Sequence, residues 1–305
     1  MSERNFREML EAKWAEGKFV CVGLDTDLSK TPECLRCMGD AGDRIRAFNQ
    51  RIVDVTKDLV CAYKPNTAFY EAHGNEGFCA LRDTIKHINS AAPDVPVILD
   101  AKRADIGNTN EGYVKMAFDY FKADAITLHP YLGKEALKPF LDLKDKGIVV
   151  LCRTSNPGAG EFQDITIDVD LEEGEFIAKK TGSWCLHNGA YTRPFYLHVA
   201  YQVSRKWNGG KNCALVVGAT YPRELETVRK IVGDMPILIP GIGAQGGDLE
   251  KTVSAGKDSR SWGMIINSSR GIIFASPGTD FAEAARIETL KLHILIAQYL
   301  KGGSS

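Results

Sequence analysis

Eight short runs rich in β-branched and other apolar residues recur along the chain, and a longer stretch with helical periodicity follows each of them. The runs lie at residues 19–24, 60–64, 95–100, 125–129, 147–151, 214–218, 237–240 and 263–267. This alternation is typical of repeated βα units, in which crossover helices join parallel strands. Eight such units can close into a barrel, although an open, doubly wound sheet would produce the same alternation.

Unusual polar residues stand at the ends of several of these runs and favour the barrel. They are Asp25, Lys64, Asp100, Lys102, Ser155 and Arg270. In a (β/α)8 barrel the carboxyl ends of all strands meet at one face, where active sites gather. The pattern therefore predicts a single α/β domain, a (β/α)8 or TIM barrel, over residues 1–305. We expect an N-terminal helix at 1–17, an extended loop and helical segment after the fifth strand, and a disordered tail at 301–305.

Composition limits the partners that the chain can bind. The formal net charge is −1, with 44% hydrophobic and 25% charged residues. This balance gives no long-range field for nucleic acid or an anionic membrane, so an anionic ligand must be held by a local group of cations. No run of eighteen apolar residues occurs, and charges interrupt the first seventeen residues. Eight cysteines, several within apolar runs, favour reduced thiols and a cytoplasmic protein.

The third run leads directly into alternating charges. Asp100 and Lys102 are two residues apart, so in an extended strand both side chains leave the same face. A surface ion pair at the end of a strand is the ordinary interpretation of such a pattern. Desolvating charges is costly, however. A cluster of charges directly after a strongly apolar strand therefore indicates a functional use.

These charges belong to a longer motif that resembles a known family. Asp-x-Lys-x-x-Asp at 100–105, followed by Ile-Gly-Asn-Thr at 106–109, is similar to the signature of the orotidine 5′-monophosphate decarboxylase family. The similarity extends over nearly the whole chain. Tyr-Lys-Pro-Asn-Thr at 63–67 and Asn-Pro-Gly at 156–158 resemble its longer bacterial-type subgroup. The resemblance implies the decarboxylation of orotidine 5′-monophosphate (OMP) to UMP, the last step of de novo pyrimidine biosynthesis.

The same resemblance implies a catalytic tetrad of Lys64, Asp100, Lys102 and Asp105. Asp105 would reach into the neighbouring subunit's site, so a homodimer is implied. Loss of CO2 from carbon-6 leaves an sp2 carbanion with no adjacent carbonyl to delocalise it, and the protein must stabilise that charge electrostatically. We expect Lys102 to face carbon-6 and to donate the proton that replaces CO2. Asp100 would lie beside the substrate carboxylate. No cofactor and no metal ion are expected.

Two glycine-containing loops predict a phosphate site, one at 240–247 after the seventh run and one at 267–271 after the eighth. Glycines such as Gly243 and Gly271 let backbone N–H groups approach an anion, and Arg270 offers a planar fork of donors. By resemblance Gln245 and Arg270 contact the phosphate, with Tyr221 as a helper.

The remaining contacts also come from the resemblance. Asp25 matches a ribose-binding aspartate, and the partner's Thr109 would bind the same hydroxyls. Ser155 resembles the serine that reads the pyrimidine edge. Residues 158–170 are interpreted as a mobile lid that excludes water when it closes.

Two other functions remain open. A sister activity, such as a hexulose-phosphate synthase or ketogulonate-phosphate decarboxylase, would use Mg²⁺ and needs a carboxylate at the end of the second strand, where this chain has Lys64. A non-catalytic nucleotide sensor would keep the pocket, but it would gain nothing from the complete tetrad. The pair Cys34-x-x-Cys37 invites a zinc interpretation, yet no second ligand pair with suitable spacing exists.

Overall fold

The computed structural model describes residues 4–184, 186–187, 189–243 and 246–302. The β-strands in this part of the chain are β1 Val20–Gly23, β2 Val60–Lys64, β3 Ile98–Arg103, β4 Ala125–Leu128, β5 Gly147–Arg153, β6 Thr166–Val169, β7 Leu186–His187, β8 Ala190–Pro194, β9 Cys213–Val217, β10 Ile237–Pro240 and β11 Met264–Ser268.

The α-helices alternate with the strands. They are α1 Phe6–Ala15, α2 Glu33–Arg36, α3 Ala41–Thr56, α4 Ala68–Glu71, α5 Gly74–Ala91, α6 Gly107–Val114, α7 Gly133–Leu141, α8 Gly160–Gln163, α9 Leu171–Thr181, α10 Phe195–Tyr201, α11 Pro222–Val232, α12 Leu249–Gly256, α13 Arg270–Ile273 and α14 Phe281–Gly302. Turns of 3₁₀-helix occur at Leu28–Lys30, Pro157–Ala159 and Asn208–Gly210, and π-helical turns continue α6 and α10 at Lys115–Tyr120 and Gln202–Trp207.

Eight strands form one parallel sheet in the order β2-β1-β11-β10-β9-β5-β4-β3. Two further parallel bridges, Tyr63 to Val97 and Asn66 to Asp100, join β2 to β3. The sheet therefore closes on itself, and the (β/α)8 barrel predicted from the sequence is confirmed. Each of the eight predicted runs coincides with one barrel strand to within a few residues.

Burial explains why the strands could be recognised. Every residue of β1, β2, β4 and β9 is buried, because these strands lie between the barrel interior and the surrounding helices. The helices are amphipathic, and in α3 the side chains of Ile45, Phe48 and Ile52 face the core. In the part of the chain that the structure describes, no helix is both long and apolar enough to cross a bilayer.

Helix α1 lies across the amino-terminal ends of the strands. Phe6 packs so closely on Gly147, at the start of β5, that a Cβ there would stand 2.2 Å from the ring. The indole Nε1 of Trp14 donates to the carbonyl of Met264, at the start of β11, over 2.8 Å. The helix thus covers the end of the barrel opposite to the polar strand ends.

The segment after β5 differs from the prediction. We expected a loop and helices there, but the chain also forms an antiparallel sheet of three strands in the order β6-β8-β7. Exposed and half-buried residues alternate in β6, and both residues of β7 are exposed. These strands lack the continuous apolar run that marks the barrel strands, so local sequence patterns do not predict them.

Three predicted boundaries need correction. The N-terminal helix is shorter than 1–17, because the Asn5 side chain caps it by accepting from the Arg7 and Glu8 N–H groups and the helix ends at Ala15. Helix α14 continues to Gly302, so residues 301 and 302 of the predicted disordered tail are helical. The rest of that tail lies outside the described residues. The third strand begins and ends later than residues 95–100, at Ile98 and Arg103.

Candidate active site

A cavity of about 520 Å³ opens at the carboxyl ends of the barrel strands. Its volume lies within the range of small-molecule sites. Seven of the predicted site residues line it, namely Asp25, Lys64, Asp100, Lys102, Ser155, Arg270 and Gly271. They lie in or just after strands β1, β2, β3, β5 and β11. Residues far apart in sequence meet here because parallel strands end at the same face.

An array of charges lies at the ends of β2 and β3. Lys64 Nζ donates to Asp100 Oδ2 over 2.8 Å, and Lys102 Nζ donates to Asp100 Oδ1 over 2.6 Å. Lys64 Nζ also lies 3.9 Å from Asp25 Oδ1. One carboxylate is therefore held between two ammonium groups, and each of its oxygens receives a charge-assisted hydrogen bond.

Lys64 and Asp100 are buried, with side chains only 5% and 8% exposed. Burial opposes the charged form of Lys64, but the nearby Asp100 and Asp25 carboxylates raise the Lys64 pKa above its ordinary value. Burial also opposes the charged form of Asp100, yet the ammonium groups of Lys64 and Lys102 hold the Asp100 pKa well below its ordinary value. Both groups therefore remain charged at neutral pH. Lys102 differs because 49% of its side chain is exposed.

A bulge in β3 brings Asp100 and Lys102 together. Leu99 pairs with Ile126 and Arg103 pairs with Leu128, so four residue steps on β3 lie opposite two steps on β4. Within the bulge Lys102 has a φ of +45°, which a residue with a Cβ rarely adopts. Such backbone conformations tend to persist where a site requires them.

Thr127, on β4, lies opposite this bulge and lines the cavity. Its Oγ1 donates to Asp100 Oδ1 over 2.8 Å and accepts from the Lys102 N–H over 3.0 Å. Thr127 was not among the predicted site residues. A hydroxyl among the apolar residues of the run 125–129 was the available signal, but its meaning depends on the register of the bulge.

Two buried acceptor oxygens face the cavity without a hydrogen-bond donor among the described residues. Asp25 Oδ1, after β1, and Asn267 Oδ1, in β11, accept no hydrogen bond from the described residues. Both residues line the cavity, and β1 pairs with β11. Buried acceptors are costly when they are left unpaired, so this pair is suited to hydroxyl groups of a ligand. Asn267 was noted only as part of the loop 267–271.

The predicted phosphate loops lie at another side of the cavity. In the loop after β10 the Gly247 N–H donates to the Gly241 carbonyl over 3.0 Å. Gly241 and Gly243 have φ values of +108° and +82°, which glycine alone adopts readily. Gly241 lines the cavity, whereas Gly243 is not among its lining residues. Gln245 lies outside the described residues.

Arg270 begins α13 at the edge of the cavity, and its side chain is exposed. Among the residues that the structure describes, no carboxylate pairs with its guanidinium. Gly271 follows it and also lines the cavity. An exposed arginine beside a cavity, with no internal acid to neutralise it, is suited to an anionic ligand.

Ser155 lines the cavity after β5, at a point where two loops touch. A Cβ on Gly218 would stand 2.7 Å from the Ser155 Cα, so only glycine permits this approach. Two residues earlier, Arg153 lies over the ring of Tyr221, with its guanidinium carbon 3.9 Å from the ring centroid. Tyr221 therefore contacts Arg153, and it is not among the residues that line the cavity.

The predicted lid, residues 158–170, contains α8 and β6 and is tied to the loop after β5. Both oxygens of the Asp164 carboxylate accept from Arg153, over 2.8 and 2.9 Å. Gln163, which lines the cavity, accepts from the Thr154 N–H through its Oε1 over 2.8 Å. These contacts connect the segment directly to the cavity wall.

Asp105 and Thr109 lie away from this cavity, and neither is among its lining residues. Asp105 accepts from the Ile106 N–H over 2.6 Å, and its own N–H donates to the buried Asn110 side chain. Thr109 is exposed on α6, and Ile106 beside it is 59% exposed. The half-buried Asp105 and the exposed Thr109 therefore lie beside an exposed apolar side chain, at the start of α6.

Within the described ranges, no group of three or more His, Cys, Asp and Glu side chains is arranged to hold a metal ion. Lys64 occupies the strand end where a magnesium-dependent relative would need a carboxylate, and its ammonium opposes a divalent cation. Cys34 and Cys37 are exposed free thiols at α2.

The fold and the cavity together define a (β/α)8-barrel enzyme with a lysine–aspartate array inside the cavity and an exposed arginine at its edge. The sequence profile of the orotidine 5′-phosphate decarboxylase / HUMPS family matches residues 18–286, and the chain belongs to this family.

Individual relatives agree with this membership. An orotidine 5′-phosphate decarboxylase of Cellvibrio japonicus is 42% identical over 289 residues, which is 94% of this chain and 96% of the relative. Another, of an Azoarcus species, is 45% identical over 296 residues, 97% of this chain and 99% of the relative. The solved structure of Leishmania donovani OMP decarboxylase has a TM-score of 0.74 and 32% identity, covering 95% of this chain and 99% of that one.

Proposed function

We propose that this protein is an orotidine 5′-phosphate decarboxylase, a carboxy-lyase that converts OMP to UMP in pyrimidine biosynthesis without a cofactor. The observation that carries the proposal is the buried array in which Asp100 lies between the ammonium groups of Lys64 and Lys102. Placing three charges in a cavity lowers the stability of the fold because the charges are desolvated. Such groups are therefore concentrated at sites where a reaction uses them. Family membership and the names of the relatives support the same activity.

Lys102 is the residue that acts on the reacting carbon. Its exposed ammonium has three protons, so it can stay bonded to Asp100 and also face carbon-6 of the pyrimidine, where the electron pair of the broken C–C bond remains as CO2 leaves. The fixed positive charge stabilises the developing carbanion more in the transition state than in the ground state. The ammonium then transfers one proton to carbon-6, which gives UMP and a neutral amine.

Asp100 and Lys64 keep this array in place. Because their charges are already paired and buried, little reorganisation is needed when charge develops on the substrate. Asp100 would lie beside the substrate carboxylate and would remain oriented toward Lys102. Lys64, which contacts both Asp100 and Asp25, balances the negative charge of the two carboxylates.

The rest of the cavity suits the other parts of the nucleotide. Asp25 would accept from ribose hydroxyls, and Ser155 would bind the pyrimidine edge. Arg270 and the backbone of Gly271, together with Gly243 and Gln245 of the loop after β10, would bind the 5′-phosphate. The array and the arginine are thus assigned to the two charged groups of one substrate.

A homodimer completes the site in this proposal. Asp105 and Thr109 lie outside the cavity of their own chain, on a surface with the exposed Ile106. A second copy that covers this surface would bring the partner's Asp105 to the tetrad and the partner's Thr109 to the ribose hydroxyls. We also expect a cytoplasmic location, from the cysteine pattern noted above.

Lys64 disfavours the rival activity of the same superfamily, which acts on a sugar phosphate with Mg²⁺, because that activity needs a carboxylate at this position. An assay that follows the loss of absorbance as OMP is consumed separates the two. The wild-type protein should consume OMP equally well with and without EDTA. The Lys102→Ala variant should lose at least about 1,000-fold in kcat, because it lacks both the charge and the proton donor.

Lys138→Ala is the matched control for this assay. Lys138 pairs with Asp142 on the surface and is not among the residues that line the cavity, so its loss should leave turnover unchanged. A folded Lys102→Ala protein with ordinary turnover, or a wild-type protein that EDTA inactivates, would refute the proposed function.

A further inference from the structure

We infer that Thr127 is a positioning residue that holds the charge array in its reactive geometry, a role that rests on the proposed function. Its hydroxyl donates to Asp100 Oδ1 over 2.8 Å and accepts from the Lys102 N–H over 3.0 Å. Thr127 is only 1% exposed, so water does not compete freely for these bonds. One side chain on β4 therefore fixes both members of the Asp100–Lys102 pair on β3.

The bulge in β3 explains why a hydroxyl is needed there. In a regular parallel ladder the Lys102 N–H would donate to a backbone carbonyl of the neighbouring strand. Between Leu99 and Arg103, β3 has two residues more than the facing part of β4, so the regular pairing is interrupted. Thr127 Oγ1 takes the place of the missing carbonyl as acceptor. This bond supports the left-handed φ of Lys102, and through it the direction in which the lysine side chain leaves the strand.

The direction of the Thr127 proton follows from its two partners. A backbone N–H can only donate, so Thr127 Oγ1 must accept from Lys102. The Asp100 carboxylate remains ionised beside Lys64 and Lys102 and can only accept. The single hydroxyl proton therefore points at Asp100 Oδ1, the same oxygen that receives the Lys102 ammonium.

This arrangement matters at the moment of proton transfer. When Lys102 gives its proton to carbon-6 it becomes a neutral amine, and Asp100 Oδ1 loses a cationic partner. The Thr127 hydroxyl still donates to that oxygen, and Lys64 still donates to Oδ2. Asp100 thus stays anionic and fixed until solvent returns a proton to Lys102.

Three variants test this role. Thr127→Val has almost the same shape but no hydroxyl, Thr127→Ser keeps the hydroxyl, and Thr289→Val removes another fully buried hydroxyl, which bonds Ala285 within α14. We expect Thr127→Val to lower kcat about 10- to 100-fold, as for a lost hydrogen bond to a charged group. Thr127→Ser should recover most of that loss, and Thr289→Val should have the turnover of the wild type.

Two further measurements distinguish positioning from general damage. The Kd for UMP, which lacks the carboxylate, should stay within about twofold in Thr127→Val because the nucleotide contacts are intact. Exchange of the Lys102 amide hydrogen should accelerate in Thr127→Val only, since the bond to Oγ1 protects it. Three results for Thr127→Val would each overturn the inference. They are an unchanged kcat, a loss of UMP affinity as large as the loss of kcat, and unchanged exchange of the Lys102 amide hydrogen.

The proposed function and the role of Thr127 are tested by different measurements. A wild-type protein that does not consume OMP would end that proposal, while the exchange of the Lys102 amide would still decide whether Thr127 holds the bulge.

Discussion

At the scale of single residues, the main feature is a buried ion pair that remains charged. The Asp100 pKa is held low, so its contribution to stability is complete above the unfolded value near 4 and is lost as pH falls. The Lys64 pKa is raised, so its contribution is complete below the unfolded value near 10.4 and is lost only as pH rises through the folded value. The pair should therefore stabilise the fold fully between about pH 4 and pH 10.

Asp100→Asn should destabilise the protein by about 3 to 5 kcal/mol at pH 7, because Lys64 is left buried without its nearest carboxylate. The remaining Lys64 would then have a lowered pKa, and the unfolded chain would bind its proton more tightly than the folded one. Stability of the variant should consequently rise with pH between 7 and 10, which urea unfolding at each pH measures.

Asp142→Asn is the control for this measurement, because it removes the carboxylate of the exposed pair with Lys138. Water screens that pair, so the free energy of unfolding should hardly change at any pH. A penalty for Asp100→Asn that is equal at pH 7 and pH 10 would contradict the view that Asp100 holds Lys64 in its charged form.

Residues of the array differ in how far the sequence could identify them. Lys64, Asp100 and Lys102 stand at the ends of apolar runs, where charges are unusual, and their spacing within the motif is local. Thr127 belongs to the same site, but its role depends on a two-residue bulge in the neighbouring strand. Register between strands is a property of the folded sheet, and no pattern within the run 125–129 reveals it.

At the scale of elements, the segment 158–170 pairs with β8 through β6, and an ion pair and a hydrogen bond from the Thr154 N–H to Gln163 tie it to the end of β5. The Arg153–Asp164 pair is bidentate, and Arg153 also stacks on Tyr221. Asp164 is the exposed partner, whereas Arg153 is buried. The ion pair therefore anchors the segment to the loop that carries Ser155.

Asp164→Asn should loosen this segment and raise the KM for OMP about fivefold, because one charge-assisted contact is lost. Hydrogen exchange in residues 158–170 should be faster than in the wild type, and saturation with UMP should slow it in both proteins. Asp168→Asn, a change at an exposed carboxylate in β6, is the control and should affect neither quantity. Wild-type exchange that does not respond to UMP would contradict the lid hypothesis.

The strands that are most completely buried are the ones that the sequence predicts most clearly. Barrel strands are continuous apolar runs because both faces are covered, and such runs are visible in sequence. Strands β6 to β8 have two to five residues each and are partly exposed, so their sequences do not differ from those of loops. The antiparallel sheet depends on contacts with α9 and α10, which local patterns do not encode.

At the scale of the whole molecule, the proposed dimer explains why two motif residues lie outside the cavity. Asp105 belongs to the same motif as Asp100 and Lys102, yet the chain turns it away through the bonds to Ile106 and Asn110. The residue pattern could indicate the motif, whereas the expectation that Asp105 serves the neighbouring subunit's cavity came from the family resemblance alone. That assignment requires subunit geometry.

Mixing two inactive variants tests the shared site. Lys102→Ala and Asp105→Ala should each be nearly inactive alone, but their heterodimer contains one site with both wild-type residues. After random exchange of subunits about a quarter of the wild-type activity should return, since half of the dimers are mixed and each has one intact site.

A mixture of Lys102→Ala with Lys64→Ala is the matched control. Lys64 and Lys102 line the cavity of one chain, so no combination of these subunits restores a complete site. Activity that returns in this control, or that fails to return in the first mixture despite exchange of subunits, would exclude the assignment of Asp105 to the partner.

Helix α1 bears on how the products depart. Phe6 and Trp14 seal the far end of the barrel, and the strands between that seal and Asp100 are buried. In the proposed reaction, we therefore expect carbon dioxide released beside Asp100 to leave through the same cavity mouth as the nucleotide. Carbon dioxide is small enough to pass a nucleotide whose phosphate is still bound, so we expect it to leave before UMP.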